Sequence, residues 1–310
     1  QLRFTATVLL ASTDAEINND DLDWAASYAH AAGDHAVAAS LAERAQAAER
    51  RFVPELVLAS ALSALAQSER SSATFESAIS LASDDDQRVI ALARWGQHVV
   101  YRLSRPAEAV ERVGAALQQM DARAQAVLRP ELAKWQLMTG DAQALAEVAD
   151  PVSPDGGLGA VNAGLTAAMI ATMAGNPTDA IAAIEQTRPL AEAFRFEAPF
   201  AGALLDLSEF LALVASGEIG LASDFAAQRR LDRFADSAGV WSYALAIVRV
   251  HDGRLSEAHS LAALAVEQLK WRDFTGLLGT AIALHATVEA QWGDPAAARE
   301  LLGEVSAEHA

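Results

Sequence analysis

Apolar residues recur along this chain at intervals of three and four positions. Two stretches show the spacing most clearly, one at Val240, Tyr243, Ala244, Ile247 and Val248 and the other at Leu255, Ala258, Leu261, Ala262 and Ala265. An i, i+3, i+4, i+7 pattern is typical of an amphipathic α-helix that buries one face. Runs of β-branched residues, which favour strands, are almost absent. The pattern therefore predicts an all-α chain.

A short turn interrupts these helical stretches at regular intervals. It consists of Gly or Ser, a polar residue, three variable residues and then Ala. Copies begin at Gly33, Ser104, Gly175, Gly217, Gly253 and Gly293. A weaker copy begins at Gly140, and a degenerate copy lies near Ser68–Ser71. They lie about 35 to 42 residues apart, close to the roughly 34 residues of a tetratricopeptide repeat. This spacing predicts about eight tetratricopeptide-like pairs, or sixteen antiparallel helices, in a right-handed superhelix.

The residue types of this turn have a physical explanation. Glycine ends a helix by adopting the left-handed backbone conformation just beyond it. Asp, Asn or Pro then begins the next helix, as in Asn176-Pro177. The alanine that follows, such as Ala180 or Ala258, falls where two helices cross closely. A larger side chain there would push the helices apart.

We expect residues 1–310 to form a single repeat array. Only the segment Pro151–Gly159, with the sequence PVSPDGGLG, breaks the series. Its Pro, Gly and Ser content makes it a candidate hinge between two sub-arrays.

Charge and composition narrow the possible partners. The formal net charge is −18 and the chain has only two lysines, Lys134 and Lys270. Because nucleic-acid binding depends on neutralising phosphates, we expect no direct nucleic-acid binding by this chain.

No apolar run reaches transmembrane length, so no membrane partner is expected. The absence of cysteine fits a cytoplasmic setting. The start at Gln1, without an initiator Met, suggests a fragment of a longer protein.

Catalytic signatures are not found in the sequence. There is no P-loop, HExxH, GxSxG or EF-hand pattern. We therefore predict no enzyme activity, no catalytic residues, no cofactor in this fragment and no metal site. His30 and His35 lie on either side of the break at Gly33, and we expect them to be solvated turn residues.

Binding in a groove is the function that remains. The first helix of each pair usually lines the concave face of such arrays. The candidate ligand-binding residues are Arg94, His98, Tyr101, Arg102 and Lys134, with Tyr243 and His251 near Trp241 as a second choice. The first four form a polar stripe at i, i+4, i+7 and i+8. They are either a platform that donates to an anion or hydroxyl groups, with an aromatic ring to stack on, or a solvated helix face. With Lys134 they form a cationic patch, whose cations either await a ligand or are already paired with Asp and Glu of neighbouring loops.

Five tryptophans fall on predicted first helices. They are Trp24, Trp95, Trp135, Trp241 and Trp292. Either they all fill the cores between repeats, or one or two line a pocket and stack on a ligand such as a sugar.

Several segments resemble a known family. The runs DWAASYAHAAGDHAVAASLAERAQ, LARWGQHVVYRLSRPAEAVERV and LAIVRVHDGRLSEAHSLAALAVEQL are similar to the tetratricopeptide-like superhelical sensor region of actinobacterial LuxR-type transcriptional regulators, the MalT-like STAND signal-transduction ATPases. The resemblance implies a sensor that binds a small-molecule inducer or a regulatory protein. It also implies a parent protein that oligomerises and binds ATP and DNA through domains absent here. The alternative is a protein- or peptide-interaction scaffold without a small-molecule ligand.

Overall fold

The computed structural model describes residues 18–47, 50–139, 157–195, 198, 201–231, 238–271, 273 and 277–308. These ranges contain fifteen α-helices and no strand, which confirms the all-α prediction. The helices are α1 (Asn19–Ala31), α2 (His35–Ala45), α3 (Phe52–Ala64), α4 (Ser68–Leu81), α5 (Asp85–Gln97), α6 (Pro106–Leu117), α7 (Ala122–Met138), α8 (Leu158–Met173), α9 (Pro177–Ala193), α10 (Ala201–Ala215), α11 (Ile219–Leu231), α12 (Ala238–His251), α13 (Leu255–Trp271), α14 (Leu278–Trp292) and α15 (Pro295–Glu308).

Seven turns join these helices in pairs, from α1–α2 to α14–α15. Helix α7 begins a further pair, whose second helix, predicted after Gly140, lies outside the described residues. Sequence neighbours such as α1 and α2, α3 and α4, and α12 and α13 pack directly on each other. The right-handed superhelix remains a prediction.

The turns have the left-handed conformation that the sequence predicted. Gly33, Gly175, Gly217, Gly253 and Gly293 all have positive φ angles, between 70° and 112°. The amide after the glycine bonds to a carbonyl five residues earlier, as in Asp34 N to Ala29 O at 2.8 Å and Arg254 N to Arg249 O at 2.8 Å. This bond closes a Schellman motif. The alanines at the expected crossings are buried, namely Ala38, Ala109, Ala180, Ala222, Ala258 and Ala298.

The degenerate second turn differs from the others in its residues. Its left-handed residue is Ala66, with φ 60°, two positions before the predicted motif. Ser71 takes the place of the crossing alanine, and its hydroxyl donates to Ala59 O at 2.9 Å. A small side chain is thus kept at the crossing, and its polar atom is satisfied by the facing helix.

The described residues divide into two compact units. Unit 1 consists of the described residues within Gln1–Thr166 and Thr187–Gly202. Unit 2 consists of the described residues within Ala167–Gln186 and Ala203–Ala310. The division falls inside α8 and α9. Of the candidate hinge at Pro151–Gly159, residues 151–156 lie outside the described residues, and Leu158 already begins α8.

Each unit has its own apolar core. Unit 1 contains one cluster that includes Leu41 and Leu62, and a second that includes Phe75 and Trp135. The core of unit 2 includes Phe210, Trp241 and Ile282. None of the described helices has both the length and the apolar character needed to cross a bilayer.

Candidate ligand-binding sites

The predicted polar stripe lies where α5 runs into a wider helical turn. Residues His98–Arg102 form a π-helical turn, in which Leu103 N bonds to His98 O at 3.2 Å. A π turn holds more residues than an α turn, so side chains beyond His98 rotate out of α-helical register. The prediction of one stripe at i, i+4, i+7 and i+8 assumed an unbroken α-helix, and the α-helix ends at Gln97. No signal for a π turn was recognised in the sequence.

His98 is a core residue of unit 1, with only 3% of its surface exposed. Its Nδ1 lies 2.8 Å from Ser63 Oγ on α3, and its Nε2 lies 3.0 Å from Ser72 Oγ on α4. Burial, followed by the positive charges of Arg102 and Arg105, lowers the pKa of His98 to about 4. The imidazole is thus neutral at physiological pH, and both its nitrogens have partners within the chain.

Lys134 is buried on α7 as half of an ion pair. Its Nζ lies 2.6 Å from Glu131 Oε1, three residues earlier, and neither side chain is more than 6% exposed. Burial opposes the charged form, but the attraction of Glu131 and Tyr101 outweighs it and raises the pKa of Lys134. Burial likewise raises the pKa of the Tyr101 phenol, against the opposing effect of Lys134. Lys134 therefore already has a carboxylate partner, which comes from its own helix and not from a neighbouring loop.

A glycine brings α5 and α7 together beside this ion pair. A Cβ added to Gly96 would lie 2.1 Å from Cη2 of Trp135, whose side chain is fully buried. Contacts this short do not occur between real atoms, so only glycine fits here without a shift. Trp135 is therefore part of the core between repeats and does not line a pocket.

Three residues of the patch, Arg94, Tyr101 and Arg102, remain at partly exposed positions. Arg94 Nη1 lies 3.4 Å from Ser60 Oγ, and Arg102 lies at the end of the π turn. The structure thus brings Arg94, His98, Tyr101, Arg102 and Lys134 to neighbouring helices of unit 1, but His98 and Lys134 are enclosed by the protein. Ligand binding at this patch stays a prediction.

The second predicted pocket lies on α12. Tyr243 is buried, which raises the pKa of its phenol. Trp241 packs edge-on against Phe210 and Phe225, at ring-centroid distances of 6.4 and 5.9 Å. His251 is the exposed last residue of the helix. Eight residues separate it from Tyr243, or about 12 Å along the helix axis. Trp241 and Tyr243 are thus core residues, and ligand binding at Tyr243 and His251 stays a prediction.

The five tryptophans all lie on first helices, and they have two different environments. Trp95, Trp135 and Trp241 are buried, whereas Trp24 is 48% exposed and Trp292 is 52% exposed. Trp292 lines a cavity of about 410 Å³ that is open to solvent. The other residues of its wall are Gly253, Arg254, Leu255, Ser256 and Glu257. The alternative in which one or two tryptophans line a pocket thus applies to Trp292.

Charged groups on one side of this cavity are held by ion pairs. Glu257 Oε2 lies 3.2 Å from Arg249 Nε, and Glu257 also pairs with Arg254. Arg249 contacts Asp252 as well, at 3.3 Å. A ligand in the cavity would meet a flat aromatic ring and a fixed cluster of both charge signs, which can orient polar groups.

Three side chains capable of binding a metal meet close to Trp292. They are His259 on α13 and His285 and Glu289 on α14, and one ligand atom from each lies within 4.8 Å of the others. The His259 ring also stacks on Trp292, with centroids 5.9 Å apart and planes 26° apart. This cluster escaped the sequence analysis, although the i, i+4 spacing of His285 and Glu289 could have indicated it.

The expectation that the histidines of the first turn are solvated is wrong, because both are buried. His30 and His35 are 4% and 2% exposed, and their Nδ1 atoms lie 3.1 Å apart. The turn at Gly33 reverses the chain, so that the last turn of α1 faces the first residue of α2. Side chains five residues apart are thereby buried against each other.

The comparisons with known proteins add no assignment. No protein-family model matches this sequence, and no curated protein matches it.

Proposed function

We propose that this chain is the sensing domain of a larger transcriptional regulator, and that it binds a small-molecule inducer or a regulatory partner. The resemblance to the sensor region of LuxR-type regulators supports the regulatory role. The half-exposed Trp292 beside an open cavity is the observation that carries the binding role. A ligand or a partner side chain can stack on an aromatic ring that is exposed beside a concavity.

A protein- or peptide-interaction scaffold is the second candidate. The openness of the Trp292 cavity favours it, because a metabolite site usually encloses most of its ligand. An exposed tryptophan in an open depression instead suits one side chain of a partner, since such residues are frequent anchors of protein interfaces.

A thermal-shift screen of this chain against sugars, other metabolites and a peptide library tests both candidates. We expect a compound that raises the Tm of the wild-type protein and fails to do so with Trp292→Ala. Trp24→Ala is the matched control, because Trp24 is almost equally exposed but lies in unit 1. A compound whose effect survives Trp292→Ala but is lost in Arg94→Ala or Tyr101→Ala would place the site at the predicted patch. Stabilisation by peptides alone would favour the scaffold.

The role within a regulator has its own test. We expect the coding sequence on either side of this chain to encode a nucleotide-binding module before it and a DNA-binding helix-turn-helix after it. Flanking sequences that encode neither would contradict the regulator, while binding at Trp292 could still hold.

A further inference from the structure

Helices α13 and α14 bring two imidazoles and one carboxylate to a single point. His285 and Glu289 lie four residues apart and therefore share one face of α14. That face is turned towards α13, where His259 Nε2 lies 2.7 Å from Glu289 Oε1. The same carboxylate oxygen lies 3.4 Å from His285 Nε2. One oxygen is thus shared by two ring nitrogens from different helices.

One of these two distances matches the separation of ligand atoms around a bound zinc ion, and the other is shorter. Zinc takes nitrogen and oxygen ligands at about 2.0–2.2 Å in tetrahedral geometry, which places neighbouring ligand atoms about 3.3 Å apart. His285 Nε2 and Glu289 Oε1 already have this separation. The hydrogen-bonded pair of His259 and Glu289 would have to open by about 0.6 Å to reach the same tetrahedral value.

An ion can reach this point from solvent. The side chain of His259 is 35% exposed, whereas those of His285 and Glu289 are each 13% exposed. Partly buried ligands hold an ion in a setting of reduced dielectric, and the exposed imidazole leaves a path of entry. His259 also stacks on Trp292, which limits how its ring can turn.

We propose that His259, His285 and Glu289 form a Zn²⁺ site that ties α13 to α14 and leaves the fourth coordination position to water. Two imidazoles and a carboxylate are a set of ligands that suits this ion. The proposal goes beyond the sensing function and does not depend on it. In the absence of metal His259 and Glu289 are hydrogen-bonded, and His285 lies beside the same carboxylate oxygen.

Zinc titration of the full chain against a chromogenic chelator tests this site. We expect one Zn²⁺ per chain and a rise in Tm on binding. His259→Gln, His285→Gln and Glu289→Gln should each weaken binding by at least about tenfold, because even the loss of groups that only orient ligands has effects of about 10- to 100-fold. Glu267→Gln is the matched control, since it removes an exposed carboxylate of α13 and should leave affinity unchanged.

The paired histidines of unit 1 require a second control. His30 and His35 bring two nitrogens together and could bind an ion themselves. The double variant His30→Gln/His35→Gln should therefore retain the tight zinc site. If that variant loses it, or if the three substitutions at the proposed site leave affinity intact, the assignment is overturned.

Cobalt substitution gives a readout that needs no variant. A tetrahedral site of two nitrogens and one carboxylate should give Co²⁺ strong visible absorption, and the paramagnetic ion should quench the fluorescence of nearby Trp292. The quenched fraction should be absent in Trp292→Phe. The weak spectrum of hexa-aqua cobalt, or no stoichiometric binding of either ion, would contradict the proposal.

Discussion

Polar side chains serve different purposes at the end of α5 and between α13 and α14. His98 and Lys134 are buried, and their hydrogen-bonding partners are Ser63, Ser72 and Glu131 of the same chain. His259 and Trp292 remain partly exposed beside an open cavity. Both regions combine cationic or imidazole groups with an aromatic residue on helices of neighbouring pairs. What separates them is the set of residues packed against them.

The serines of α3 and α4 explain why the first region is closed. Small hydroxyl side chains let α5 approach closely while they satisfy both nitrogens of His98. In the second region, no comparable layer covers Trp292 among the described residues, since its indole is 52% exposed. In the first region His98 and Lys134 are therefore enclosed, whereas the second region offers an accessible surface.

The largest expected effect follows from breaking the buried ion pair. Lys134→Met leaves the Glu131 carboxylate buried without its cation, which should lower the free energy of unfolding by about 3 to 5 kcal/mol. The double change Lys134→Met/Glu131→Met should recover most of that loss, because it also removes the stranded charge. Urea denaturation measures both. A single substitution that costs less than about 1 kcal/mol would show that the pair is solvated.

Acid should weaken the first region through His98. Its folded-state pKa of about 4 lies below the value of 6.5 for an imidazole in water, so the unfolded chain takes up a proton first as the pH falls. The contribution of His98 to the free energy of unfolding is complete above pH 6.5 and is lost between pH 6.5 and 4. It amounts to at most about 3 kcal/mol. Urea denaturation across this range should show a steeper loss for the wild type than for His98→Gln. Parallel curves would contradict the buried, neutral imidazole.

A methyl group added at Gly96 should disturb the contact between α5 and α7. Gly96→Ala places Cβ against Trp135 and should cost about 1 to 3 kcal/mol, the usual range for overpacking. Gly114→Ala is the matched control in α6, where an added Cβ meets nothing within 4 Å. That change should stabilise the protein by up to about 1 kcal/mol through helix propensity. Thermal denaturation measures both changes in stability. If the two substitutions change the stability in the same direction, the close contact is refuted.

The smallest effect is expected at the accessible surface. Trp292→Ala should change the free energy of unfolding by less than about 1 kcal/mol, because half of the side chain is already in water. Trp135→Ala should cost about 3 to 5 kcal/mol, since that side chain is fully buried. Chemical denaturation of the two variants compares the regions directly. Similar losses for both would mean that Trp292 is also a structural core residue.

The repeat architecture could be predicted because local chemistry determines it. Glycine at Gly33 or Gly253 and small alanines at Ala38 or Ala258 act within a few residues of themselves. The environments of polar residues depend on helices that are distant in sequence. Counting from the turns placed His98 on a first helix, but it could not reveal the serines that enclose it or the π turn that follows. His259 and Glu289 are brought together only by the packing of α13 on α14.

The pKa of His98 is the most direct test of the contrast between the two regions. Heteronuclear NMR of the imidazole nitrogens across a pH titration of the full chain measures it, with His98→Gln used to assign the signal. A buried imidazole bonded to Ser63 and Ser72 should stay neutral through pH 5 to 8 and titrate near 4. A midpoint near 6.5, the value of an imidazole in water, would mean that His98 is open to solvent and available to a ligand.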